Sequence, residues 1–98
     1  MFVHTVYFWL KTDLPETQIA DFEKRCGALT TISAVKHGWF GVPAATDRPV
    51  IDRTYTYGLA LVFEDKERHD IYQVDPLHKA FLELKDYWTQ VKIYDFEG

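Results

Sequence analysis

The stretch FVHTVYFWL, Phe2 to Leu10, restricts the fold more than any other part of the chain. It is aromatic or β-branched almost throughout, which suits a strand packed on both faces. Alternation sends Phe2, His4, Val6 and Phe8 to one side and Val3, Thr5, Tyr7 and Trp9 to the other. Neither side is made for water. A chain of 98 residues has room for one compact domain, residues 1–98, with one modest core. Helices of the same chain can cover only one of these faces, and a second copy is the simplest cover for the other.

The rest of the chain supplies those helices. Thr12 or Asp13 is placed to cap a helix, Pro15 suits its first turn, and Ile19, Phe22, Cys26 and Leu29 recur at helical spacing. A second strand is expected over Val35 to Val42, where Gly38 and Gly41 point to a bulge or a close approach by another backbone. The segment PAATDRPVIDR, residues 43–53, has two prolines and no period and reads as a loop. YTYGLALVF, Tyr55 to Phe63, reads as a third strand with Tyr55, Tyr57, Leu59, Leu61 and Phe63 on one face. A helix then runs from about Lys66 to Val74, where Pro76 forces Asp75 out of helical geometry. A further helix restarts with Asp75 as its N-cap and Pro76 in first place, and a last strand covers Val91 to Phe96.

This order matches the ferredoxin-like split β-α-β plan, an α+β fold with a four-stranded antiparallel sheet and helices on one face. The open face, carrying Tyr7 and Trp9, predicts a homodimer. Sixteen per cent aromatic content supports the same expectation, because so small a core does not hide that much ring surface.

Charge and cysteine content narrow the partners. A net charge of −4 without a basic stripe argues against nucleic acid and anionic membrane, and favours a small apolar or aromatic ligand. One cysteine, Cys26, cannot form an intrachain disulfide, and the N-terminal apolar run lacks the marks of a leader or a span. A cytoplasmic protein is the expectation. No cofactor is expected. No metal site is expected either, since the four histidines show no ligand spacing; His37 and His69 read as surface or interface residues outside any cluster.

Chemistry concentrates in YQVDPLHKAFLE, Tyr72 to Glu83. Asp75 is explained by capping alone, worth about 1 kcal/mol. His78 falls in the first turn of the restarted helix, where the dipole favours neutral imidazole. Tyr72 comes within reach of His78 if the helices bend at Pro76. His4 is a lone imidazole on an apolar strand face and needs a partner, for which His78 and Tyr72 are the candidates. The expected site is therefore His78, Tyr72 and His4, with Val6, Phe8, Phe81, Leu82 and Trp88 as apolar walls and Tyr57 nearby on the third strand.

VHTVYFWL, LALVFED, YQVDPLHKAF and the closing VKIYDFE together resemble the stress-responsive A/B barrel domain (Dabb) family, over essentially the whole chain. The resemblance implies ferredoxin-like subunits that pair sheet to sheet into a dimeric α/β barrel. It also implies a cavity between sheet and helices, bearing the strand-one histidine. The family includes a plant polyketide cyclase whose aldol cyclisation uses a His and a Tyr at the positions of His78 and Tyr72. This chain departs from that pattern in having Asp75 before the proline, and Tyr57 where the cyclase has a third histidine. Two other readings fit the same residues. One is a non-catalytic, stress-related dimer that binds an apolar molecule. The other is an enzyme similar to the cofactor-free antibiotic-biosynthesis monooxygenases.

Overall fold

A computed structural model describes residues 1–98. The elements are β1 (Phe2–Leu10), α1 (Glu16–Ala28), a 3-10 turn (Leu29–Thr31), β2 (His37–Gly41) and β3 (Tyr57–Phe63). They continue with α2 (Lys66–Gln73), α3 (Pro76–Leu82), a 3-10 turn (Lys85–Tyr87) and β4 (Trp88–Glu97). The sheet order is β2-β3-β1-β4 with every pair antiparallel, which is the expected ferredoxin-like α+β arrangement. No helix is long and apolar enough to cross a membrane.

Alternation along β1 falls as its sequence dictates. Phe2, His4, Val6 and Phe8 are buried under the helices, together with Tyr57, Leu59, Leu61 and Phe63 of β3. Phe22, Cys26 and Leu29 complete the core from the α1 side, Phe22 meeting Phe8 edge to face at 5.2 Å. The Cys26 thiol is free and buried, and burial raises its pKa far above the usual thiol range, so it acts as a small apolar side chain.

Three local expectations change. Tyr55 lies before β3 and packs against Tyr7, on the face opposite to Tyr57. Neither Thr12 nor Asp13 caps α1; the helix begins after an extended Pro15 with no side-chain cap. β2 is shorter than its apolar run, starting at His37. Gly38 within it has a steric reason: a Cβ there would lie 2.9 Å from the Thr30 Cβ and 3.0 Å from the Leu61 Cδ2. β2 can therefore press against the Leu29–Thr31 turn only without a side chain at that position.

The break between α2 and α3 follows Pro76. Asp75 is extended and its carboxylate accepts from the Leu77 N–H at 2.9 Å. α2 is capped likewise, Asp65 accepting from the Arg68 N–H at 2.9 Å. Two short helices thus replace one long helix, and the bend turns the start of α3 back over β1.

The opposite face of the sheet stays open. Trp39, Tyr94 and Phe96 are 62%, 57% and 60% exposed. Their positions in the pairing register put them on the same face as Val3, Thr5, Tyr7 and Trp9. The end of the long loop folds onto one corner of this face: the Trp9 Nε1–H donates to Thr54 Oγ1 at 2.9 Å, and the Tyr55 ring meets Tyr7 at 5.0 Å.

Candidate functional site

Between β1, β4 and the α2–α3 bend lies a cavity of about 240 Å³. Running along β1, its lining changes from polar to apolar: His4 with Tyr72, Gln73 and His78 at one end, and Phe8 with Phe81 and Trp88 at the other. Val6, Leu82, Val91 and Ile93 form the walls between. The aromatic end is well packed, Trp88 stacking on Phe81 at 5.6 Å and meeting Phe8 at 5.2 Å.

A β-bulge brings Trp88 to that end. β1 and β4 pair Phe8 with Val91 and Trp9 with Gln90, but Leu10 faces Trp88, so Thr89 is the extra residue. Without it, Thr89 would oppose Leu10 and Trp88 would project to the open face.

At the polar end the donors and acceptors are fixed by geometry. The His78 ring lies 4.8 Å from the Tyr72 ring, and its Nδ1 is 3.0 Å from the main-chain carbonyl of Gln73. A carbonyl only accepts, so the proton of neutral His78 is on Nδ1 and Nε2 carries the lone pair. Burial, the largest influence, holds the His78 pKa below its usual 6.5, while the Gln73 carbonyl pulls it upward. The Tyr72 side chain is 1% exposed and its hydroxyl has no hydrogen-bond partner in the protein, yet no fully buried polar atom of the chain lacks a partner. That hydroxyl must therefore meet the cavity. Burial raises its pKa well above the usual phenol value, so it stays a protonated donor.

His4 finds a different partner from those expected. Its Nδ1–H donates to Asp95 Oδ1 at 2.5 Å, across the β1–β4 pair, while Tyr72 lies edge-on at 5.9 Å between ring centres. Burial lowers the His4 pKa, and the Asp95 carboxylate raises it in part. The Asp95 bond leaves Nε2 of neutral His4 with the lone pair.

The family profile described as stress responsive A/B barrel domain (Dabb) matches residues 2–98. The chain belongs to the Dabb family. Three solved structures share its fold. A Dabb protein from Mesorhizobium loti is 24% identical, with TM-score 0.76 and coverage of 99% of this chain and 95% of its own. A dimeric ferredoxin-like protein of unknown function from Thermobifida fusca is 18% identical, with TM-score 0.76 and coverage of 97% and 88%. A hydroxynitrile lyase from Passiflora edulis is 19% identical, with TM-score 0.76 and coverage of 97% and 90%. No curated protein matches the sequence.

Most of the residues singled out in this Dabb chain come together, and some do not. His4, Tyr72, His78, Val6, Phe8, Phe81, Leu82 and Trp88 all line the one cavity. Tyr57 does not: it belongs to the far end of β3, where its hydroxyl donates to Glu23 at 2.9 Å and burial, with Glu23, pushes its pKa up to about 12. His69 is not a surface residue. It is buried in the Dabb core, stacked on Phe2 at 4.5 Å and 4.9 Å from the His4 ring. Asp95 and Gln73 were missed. Alternation along β4 with Val91 and Ile93 is the signal for Asp95, and it becomes readable only once the β1–β4 register is known.

Proposed function

We propose that the cavity binds a small carbonyl compound with an apolar or aromatic body and moves a proton on it. The aromatic body would lie against Phe8, Phe81 and Trp88, and the carbonyl would point to Tyr72. His78 Nε2 would remove a proton from the carbon beside the carbonyl, and the Tyr72 O–H would donate to the enolate oxygen as charge develops there. His4, oriented by Asp95, would hold a second polar group of the substrate. The enolate carbon then attacks another carbonyl of the same molecule, closing a ring whose alkoxide takes the proton back from the imidazolium of His78; in a substrate with a neighbouring double bond, the delocalised charge is instead protonated by that imidazolium at the far carbon. Both outcomes return the proton and require no cofactor.

One observation carries this reading: a buried phenol donor without a protein partner next to an imidazole whose free lone pair is set by Gln73. The cavity of about 240 Å³ is below the usual range for drug-sized ligands, which restricts the candidates to small molecules. The Passiflora protein of the same fold is named a hydroxynitrile lyase.

Titration of the four histidines by NMR, with a panel of small aromatic and polyketide-like ketones, tests the binding half. Shifts at His4 and His78, with His37 unmoved, are expected. For any ketone that is turned over, His78→Gln should lower the rate by about 10²- to 10⁴-fold. Binding without turnover by the unaltered protein would leave a ligand-binding dimer as the function.

We further propose that two copies pair through the open sheet face, giving the dimeric α/β barrel. Trp39, Tyr94 and Phe96 leave that face too apolar for water, and the Thermobifida protein of the same fold is dimeric. Sedimentation at micromolar concentration is expected to give twice the chain mass, and Phe96→Glu to give the monomer. The buried free thiol of Cys26 is consistent with a reducing, cytoplasmic setting.

A further inference from the structure

We infer that His4, His69 and Asp95 form a site for a divalent transition-metal ion of the zinc class, beside the His78–Tyr72 pair and sharing His4 with its cavity. His4 and His69 are the two buried imidazoles of this chain, at 5% and 6% exposure, and they are neighbours. They come from β1 and α2, and Asp95 of β4 completes the group. One donor atom from each of the three lies within 4.8 Å of the other two.

The donor set points to the class of ion. Two imidazoles and one carboxylate suit zinc and its neighbours, whereas magnesium and calcium take oxygen ligands. His69 is oriented as a ligand would be. Its Nδ1 lies 3.4 Å from Asp70 Oδ1, so the proton is on Nδ1, and Nε2 keeps the lone pair opposite the Gln73 side-chain nitrogen at 3.3 Å. A carboxylate holding the distal nitrogen of a histidine is the usual outer support of a metal ligand. The Asp95 side chain is 37% exposed, which gives an ion an entry path. Donors around a tetrahedral ion with bonds of about 2.0 Å lie about 3.3 Å apart, so the widest pair must close by about 1.5 Å, while His4 and Asp95, 2.5 Å apart, must exchange the proton between them for the ion. The remaining coordination position is left for water or a ligand atom.

The test uses the full chain, stripped with a chelator, and zinc or cobalt ions alone. Isothermal titration should give one zinc per chain, and Tm should rise by about 10 °C at zinc about 100-fold above Kd. Cobalt should give the visible absorption of a site with fewer than six ligands. His69→Phe, which keeps the stack on Phe2, and Asp95→Asn, which keeps an acceptor for His4, should each abolish the Tm rise and the cobalt absorption. Should His69→Phe fail to fold, the partly exposed Asp95→Asn decides alone. An unmoved Tm, or undiminished binding in Asp95→Asn, overturns the site and transfers any bound ion to surface groups such as His37. No substrate enters these measurements, so their failure leaves the proposed carbonyl chemistry untouched.

Discussion

His78 and Gln73 are joined across the α2–α3 break, the imidazole Nδ1–H donating to the Gln73 carbonyl at 3.0 Å. This carbonyl belongs to the last turn of α2, which has no helical partner for it because Pro76 ends the regular pattern. One break thus both frees a main-chain acceptor and supplies the side chain that satisfies it. The tautomer of the candidate base is a by-product of helix termination.

Tyr72→Phe should leave stability within about 0.5 kcal/mol of the unaltered protein, because the hydroxyl that is lost has no protein partner to strand. Urea denaturation measures this. A loss of 2 kcal/mol or more, on the order of a buried hydrogen bond to a charged group, would mean that the phenol is bonded within the protein rather than facing the cavity.

Stability should fall as pH drops below 6.5. Both His4 and His78 have folded-state pKa values below the usual 6.5, burial being the chief cause in each. The unfolded chain therefore binds more protons between the two values, so stability is full above 6.5 and is lost as pH falls toward the folded values. The urea midpoint should be lower at about pH 5 than at about pH 7.5, and His78→Gln should reduce that difference. An unchanged midpoint across this interval contradicts the burial assigned to both rings. The same shift extends the neutral, proton-accepting form of His78 to lower pH than a free imidazole, so the acid limb of any rate profile should lie below 6.5.

Gly38→Ala should destabilise the fold by about 1–3 kcal/mol, since the added methyl would stand 2.9 Å from the Thr30 Cβ, on a short turn with little room to retreat. Gly41→Ala meets nothing within 4 Å and serves as the control. Equal effects of the two changes would show that backbone freedom, not the close approach of β2 to the turn, sets the cost.

Asp75→Ala should cost about 1 kcal/mol through loss of the bond from the Leu77 N–H, and Asp75→Asn or Asp75→Ser should recover most of it. Thermal melts of the three variants separate capping from any role of the carboxylate charge.

The sequence-level reading succeeded where one strong local rule applied. The two-faced β1, the Pro76 break and the Asp75 cap each follow from residues that are neighbours in the chain, and all three are present. It failed where tertiary register decides. Tyr57 was correctly turned inward by alternation, but strand direction carries it to the Glu23 end of the sheet, away from His4. His69 has charged neighbours on both sides in Arg68 and Asp70, which hide its burial. Its three-residue spacing from Tyr72 was the available sign that both share one helix face. Asp95 lies 91 residues from its partner His4, so no local pattern joins them.

The bulge at Thr89 makes one part of the pocket adjustable by length rather than by side chain. Deleting that residue would make the pairing of Leu10 with Trp88 regular, so Trp88 would stay inward but the local kink of β4 would go, moving the ring that closes the aromatic end. Pairing from Gln90 onward, including the link between His4 and Asp95, would keep its register. The two ends of the cavity are therefore separable in evolution: an insertion or deletion at one position can change which molecules fit while leaving the polar end in place.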